Sequence, residues 1–100
     1  MTTISNLINL FLSGAEEGVT GTKSIPGNLK IRGNKLIHYH TVISERKDPD
    51  TFIVNLSQYS IQTGRVQKQL KEALHGKQYI IVKKVPRDYD GTLQSFVKGT

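Results

Sequence analysis

From Asn28 the apolar residues of this chain repeat at every second position, and from Thr63 they repeat on the period of a helix. This change of period, with a turn signal at each join, restricts the chain to a small sheet packed against helix. Leu29 and Ile31 alternate with Lys30 and Arg32, Gly33-Asn34 is a two-residue hairpin signal, and Leu36 to Ile43 returns as a strand rich in β-branched and aromatic residues. Asp48-Pro49-Asp50 ends that strand, and Thr51 to Leu56 is a third, short and apolar enough to be central. Thr63 is placed to cap a helix with Val66, Leu70, Ala73 and Leu74 on one face and Gly76 at C′. Lys71 and His75 suit the negative end of its dipole. Lys77 to Val85 reads as a fourth strand, stopped by Pro86.

Before this block, Ile4, Leu7, Ile8 and Phe11 recur at i, i+3, i+4, i+7 behind a Thr2 or Thr3 cap, so residues 2–13 are expected to be a helix with one apolar face. That face either covers the sheet or docks on a partner. Gly14, Gly18, Gly21, Pro26 and Gly27 make residues 14–27 a flexible linker in which no periodicity survives. After Pro86 the tail carries an Asp90-Gly91 turn and a short edge strand from Leu93 to Val97. The expected order is α-β-β-β-α-β: an α+β domain with a small, mostly antiparallel sheet covered by helix. At 100 residues the chain fits one domain, because a fold of this length buries roughly 65% of its unfolded surface.

No cysteine is present, which removes disulfides, thiolate metal sites and cysteine nucleophiles. The run from Ile4 to Leu12 is too short to span a bilayer, lacks a basic leader, and ends in Ser13-Gly14-Ala15-Glu16-Glu17, unlike a signal peptide. A cytoplasmic location in a host cell and no membrane partner are expected. The net charge is +6, and 13 Lys/Arg lie between Lys23 and Arg87 against four acids, Glu45, Asp48, Asp50 and Glu72. Such a field attracts phosphate backbones or acidic proteins, and it also serves solubility alone.

Catalysis needs a nucleophile with a base in reach, paired carboxylates or a metal cluster, and the pattern supplies none. His38 and His40 fall on one strand face and could join His75 on a divalent ion, but no carboxylate lies near them in sequence. Solvent-facing strand histidines account for the pair. Phosphate-cradling motifs are missing as well: Ser13-Gly14-x-x-x-Gly18 and Gly27 to Gly33 lack the Walker lysine and the strand-to-helix context. No enzyme activity, metal or cofactor is expected.

The junction around Tyr59 carries a more specific pattern. Tyr39, Thr41, Ile43, Arg46, Asn55, Tyr59, Ser60, Thr63 and Gln67 follow Leu29-x-Ile31 and the Gly33-Asn34 turn. In that spacing the chain resembles a family of small uncharacterised proteins found mainly in tailed phages and mobile elements. The family pattern runs Tyr-x-Thr-x-Ile, then Arg, then Asn-x-x-x-Tyr-Ser-x-Thr-Thr-Ser-x-x-Gln, and Gln62 and Gly64 replace two of its positions here. The resemblance covers about half the chain. It implies a viral source and a binding role, and it brings no activity with it. Local structure also accounts for the cluster, with Ser60 and Thr63 capping the helix and Asn55 and Gln67 satisfying backbone groups.

Two binding roles remain. The first is a protein-binding inhibitor or modulator of a host complex, such as a defence or transcription complex, docking through a sheet edge or through Ile4, Leu7, Ile8 and Phe11. The second is a basic nucleic-acid-binding protein in which Lys30, Arg32, Arg65, Lys68, Lys83 and Lys84 contact phosphates without reading bases. A homo-oligomer is compatible with either.

Overall fold

The computed structural model describes residues 2–22, 24–48, 50–57, 59–86, 89 and 91–97. Its sheet has six strands, β1 (Glu17–Gly21), β2 (Pro26–Arg32), β3 (Lys35–His38), β4 (Thr41–Asp48), β5 (Thr51–Asn55) and β6 (Gln78–Val82), in that spatial order. Neighbours are antiparallel except β5 and β6, which are parallel and joined through the second helix. Helices α1 (Ile4–Leu12) and α2 (Ile61–Ala73) pack on one face, so the fold is α+β with a mostly antiparallel sheet covered by helix.

Alternation along the strands decides what each face buries. Leu29, Ile31, Leu36, Ile43, Phe52 and Val54 point to the helical side, where they meet Leu7, Ile8, Phe11 and Leu12 of α1 and Val66 and Leu70 of α2. Phe11 and Phe52 meet there as a tilted ring pair with centroids 5.8 Å apart. On the reverse face Val42, Ile53 and Val82 pack with Val85 and Leu93 from the C-terminal segment. That second layer covers the β4–β6 half of the sheet and reaches Ile37 of β3, and among the described residues it extends no further over the β1–β3 half of the reverse face.

Four elements differ from the sequence expectation. Residues 17–21, expected in the linker, form β1, and Thr2 bridges Gly21 with its backbone N–H and C=O at 3.1 and 2.9 Å. The glycines that hide this strand's periodicity are what let it form. Gly21 sits at φ 84, where a side chain would run into the Ile25 carbonyl oxygen, and a Cβ on Gly27 would collide with Thr20 Oγ1. The expected strand from Leu36 to Ile43 is two strands, β3 and β4, reversing at Tyr39-His40. Tyr39 takes φ 57 there, a left-handed conformation that no turn-forming residue type announces. Ser60, not Thr63, is the α2 cap, accepting the Thr63 N–H at 3.2 Å. The tail forms a 3-10 turn, Leu93–Phe96, in place of an edge strand. Pro49 and Asp90 of the two expected turns lie outside the described residues.

Two consecutive residues of β4 pin the chain's outer segments to opposite faces. Arg46 donates through one guanidinium nitrogen to the carbonyls of Phe11 and Ala15, the latter at 3.0 Å, and lies 4.9 Å over the Phe11 ring. It thereby ties down the exit of α1, where the Phe11 carbonyl also accepts the Gly14 N–H at 3.2 Å. Glu45, 1% exposed on the reverse face, accepts from Thr92 Oγ1 at 2.7 Å and from the Leu93 N–H at 3.1 Å, with Gln94 Nε2 at 3.4 Å. No helix among the described residues is long and apolar enough to cross a membrane.

Candidate nucleic-acid interface

The uncovered half of the reverse face is an open depression of about 460 Å³. Its walls follow from strand parity. Lys30 and Arg32 alternate with the inward Leu29 and Ile31 on β2, so they project outward. The Gly33-Asn34 turn pairs Arg32 with Lys35 and Lys30 with Ile37 across the hairpin, which brings Lys35 and Ile37 of β3 to the same side. Ile37 and Val42 form an apolar floor, and Tyr39 and His40 stand at one end where β3 reverses into β4. No carboxylate is among the residues lining the depression. Two acids flank it: Glu17 stands opposite Arg32 in the β1–β2 register, and Glu45 opposite Lys35 in the β3–β4 register.

Tyr39 is 45% exposed, with its hydroxyl held in place: it accepts from Asn28 Nδ2 at 3.0 Å and donates to Gln62 Oε1 at 2.9 Å. The ring is therefore fixed beside the cations before any ligand arrives, which lowers the entropic cost of stacking on it. Lys35 and Tyr39 were not among the residues expected to form the site. For Lys35 the signal was present, since a two-residue hairpin puts it on the same side as Arg32. For Tyr39 there was none, because its position depends on the unexpected turn.

The six cations expected to act together are divided by the fold. Lys30 and Arg32 share the depression. Arg65 and Lys68 lie on the exposed side of α2, whose other side, through Val66 and Leu70, packs on the opposite face of the sheet. Lys83 and Lys84 follow β6 and are exposed beyond its end. The docking role of α1 is also corrected. Leu7, Ile8 and Phe11 are at most 1% exposed and Ile4 is half-buried against the same cluster, so that face of the helix is core. The driving force is the apolar face itself, which the folded chain buries against Leu29 and Ile31 of β2.

The histidines part company too. His38 is not on the solvent face; it is 6% exposed on the helical side, with Nδ1 2.9 Å from Thr63 Oγ1. Ser60 Oγ donates to the same Thr63 Oγ1 at 3.1 Å, so His38, Thr63 and Ser60 form one hydrogen-bonded chain at the start of α2. His40 is exposed at the turn, and no three of His, Cys, Asp or Glu converge among the described residues. Burial pushes the His38 pKa below its ordinary 6.5. With the folded value depressed, the unfolded chain takes up the proton first. Stability is therefore full above 6.5 and falls as pH drops through and below it. Urea midpoints measured from about pH 7.5 to about pH 5 should decline more steeply for the wild type than for His38→Gln; equal slopes would show that His38 does not contribute.

The remaining residues of the Tyr59 junction serve one another. Asn55 Nδ2 donates to the Val42 carbonyl and to Tyr59 Oη, both at 2.9 Å, and Tyr59 donates to the Val85 carbonyl at 2.6 Å. Gln67 Nε2 donates to the carbonyls of Asn55 and Ser57 at 2.7 and 3.1 Å, and Ser57 Oγ accepts the Val85 N–H at 2.8 Å. This network ties the end of β5, the start of α2 and the exit of β6 together, and its polar atoms are engaged by protein.

Comparison of the chain with family models, with curated proteins and with solved structures gives no match.

Proposed function

We propose that the protein binds single-stranded nucleic acid along the uncovered half of its sheet, contacting phosphates without reading bases. The observation that carries this reading is the juxtaposition of Lys30 and Arg32 with the braced Tyr39 ring over the apolar floor, in a depression lined by no carboxylate. A cationic track follows the backbone, and an aromatic face accepts any base, since every base has a π-surface. The apolar floor of Ile37 and Val42 suits base edges better than ordered water. A phage accessory protein, the source implied by the family resemblance, would act on replicating or transcribed strands through such a surface.

Anisotropy titrations of a labelled oligonucleotide at several salt concentrations test it. Lys30→Gln with Arg32→Gln removes two phosphate contacts and should lower the slope of log K against log salt by about 1.4. Tyr39→Ala should weaken binding by about 1–3 kcal/mol while Tyr39→Phe keeps most of the affinity, because the ring stacks and the hydroxyl only braces it. Arg65→Gln with Lys68→Gln, on the far side of α2, should change the affinity less than about threefold. Binding that is equally sensitive to both pairs, or insensitive to salt, would rule the surface out.

A further inference from the structure

The sheet treats its two edges differently. At the β1 edge the strand is interrupted by an irregularity between Val19 and Gly21, and Thr2 bridges Gly21 from α1's entry. Such devices blunt an edge against further pairing. At the other edge β6, Gln78-Tyr79-Ile80-Ile81-Val82, pairs with β5 on one side in regular parallel register and with no described strand on the other. It carries no proline, no irregularity and no charge over its five residues, and Ile81 is 43% exposed.

The ends of this edge are basic. Lys77 precedes it and Lys83 and Lys84 follow it, all three exposed, with Asp50 lining the shallow depression beside Lys77. These charges select the occupant. Two copies of β6 pairing antiparallel about Ile80 would set Lys77 against Lys83 at both ends, a like-charge juxtaposition that opposes a symmetric dimer. Parallel pairing of two copies would set Lys77 beside Lys77 and Lys83 beside Lys83, the same like-charge penalty. An incoming strand with acidic residues at its ends and alternating apolar residues between them meets the open backbone groups, Ile81 and the lysines together.

The geometry points to β6 as a docking edge for an extended, acid-flanked segment of a partner protein, added to the sheet as a seventh strand. This surface is independent of the basic depression. Together they would make the chain an adaptor, with nucleic acid on one surface and a protein strand on another.

The probe is the labelled peptide Glu-Glu-Val-Thr-Val-Thr-Val-Glu-Glu, titrated into the 15N-labelled full chain without nucleic acid. Saturable shifts centred on the amides of Gln78 to Val82 are expected. N-methylation of alternate peptide nitrogens should abolish them on one of the two alternating sets, since only one set of N–H groups faces the sheet. A Lys-flanked version should bind about tenfold more weakly, and Lys83→Glu with Lys84→Glu should reverse that preference. Indifference to N-methylation, equal binding of the two flanked peptides, shifts lying elsewhere, no saturable binding, or a concentration-dependent dimer abolished by Ile81→Lys would each overturn the proposal. The oligonucleotide affinity of the Lys83→Glu, Lys84→Glu variant, read separately, keeps the two surfaces distinguishable.

Discussion

Leu7→Asp should abolish cooperative folding. Leu7 is 0% exposed, and its Cδ1 lies so close to β1 that a Cβ on Gly18 would stand only 2.7 Å away. The substitution removes about 2–5 kcal/mol of packing and transfer energy at a site that cannot collapse freely. It also places a carboxylate in the apolar cluster of Ile8, Phe11 and Leu29, an added cost of several kcal/mol. A domain of this size is stable by about 5–15 kcal/mol, so the sum consumes most or all of it. Far-UV dichroism on heating should show no sigmoidal transition. Leu10→Asp, on the same helix at 48% exposure, should stay within about 0.5 kcal/mol of the wild type. A folded Leu7→Asp protein with a near-normal midpoint would mean that α1 is an appended segment, and the docking role of its apolar face would be restored.

Glu45→Ala should cost about 2–4 kcal/mol and release the C-terminal segment from the sheet. The carboxylate is the common acceptor for the Thr92 hydroxyl, the Leu93 N–H and the Gln94 amide. Of these donors the Leu93 N–H is buried, and leaving such a group unpaired costs about 1–3 kcal/mol before the weakened packing of Leu93 is added. Glu45→Gln retains an acceptor oxygen and should fall between the wild type and the alanine variant. Hydrogen exchange should report the release locally, with protection lost at the Leu93 to Val97 amides while β5 and α2 keep theirs. Uniform loss of protection across the sheet would show that the segment does not detach as a unit. Once it does detach, Val42, Ile53 and Val82 lose their cover, and the apolar floor of the basic depression extends across the sheet. Tighter, less salt-dependent oligonucleotide binding by Glu45→Ala would be the functional trace of that change.

The residues whose roles were legible in the chain are those whose partners lie close in sequence. The Gly33-Asn34 hairpin and the α1 cap, Thr3 of the two threonines offered, are each settled within a few residues and found where the pattern put them, while the left-handed Gly76 follows α2 one residue beyond the expected C′ position because Leu74 is the C-cap. Strand parity likewise set Lys30 and Arg32 on the side opposite Leu29 and Ile31. The strands that went unseen are the ones whose local signal is weak or misleading. In β1 the glycines suppress the apolar alternation, and the β3–β4 reversal rests on a tyrosine in a glycine-like conformation, held by side chains 11 and 23 residues away.

The chain alone was enough to determine the fold class, because binary patterning and turn chemistry act over two to four residues and leave one way to bury the apolar faces. It could not determine which cations share a surface. That depends on which face of the sheet α2 packs against, and the open half of the reverse face depends on where the C-terminal segment lies, which Glu45 holds through bonds spanning 47 to 49 residues. The same holds for Arg46, which fixes the end of α1 from 31 and 35 residues away. Contacts of that separation are selected by the packed whole, where a buried charge must find its partners or unfold the protein.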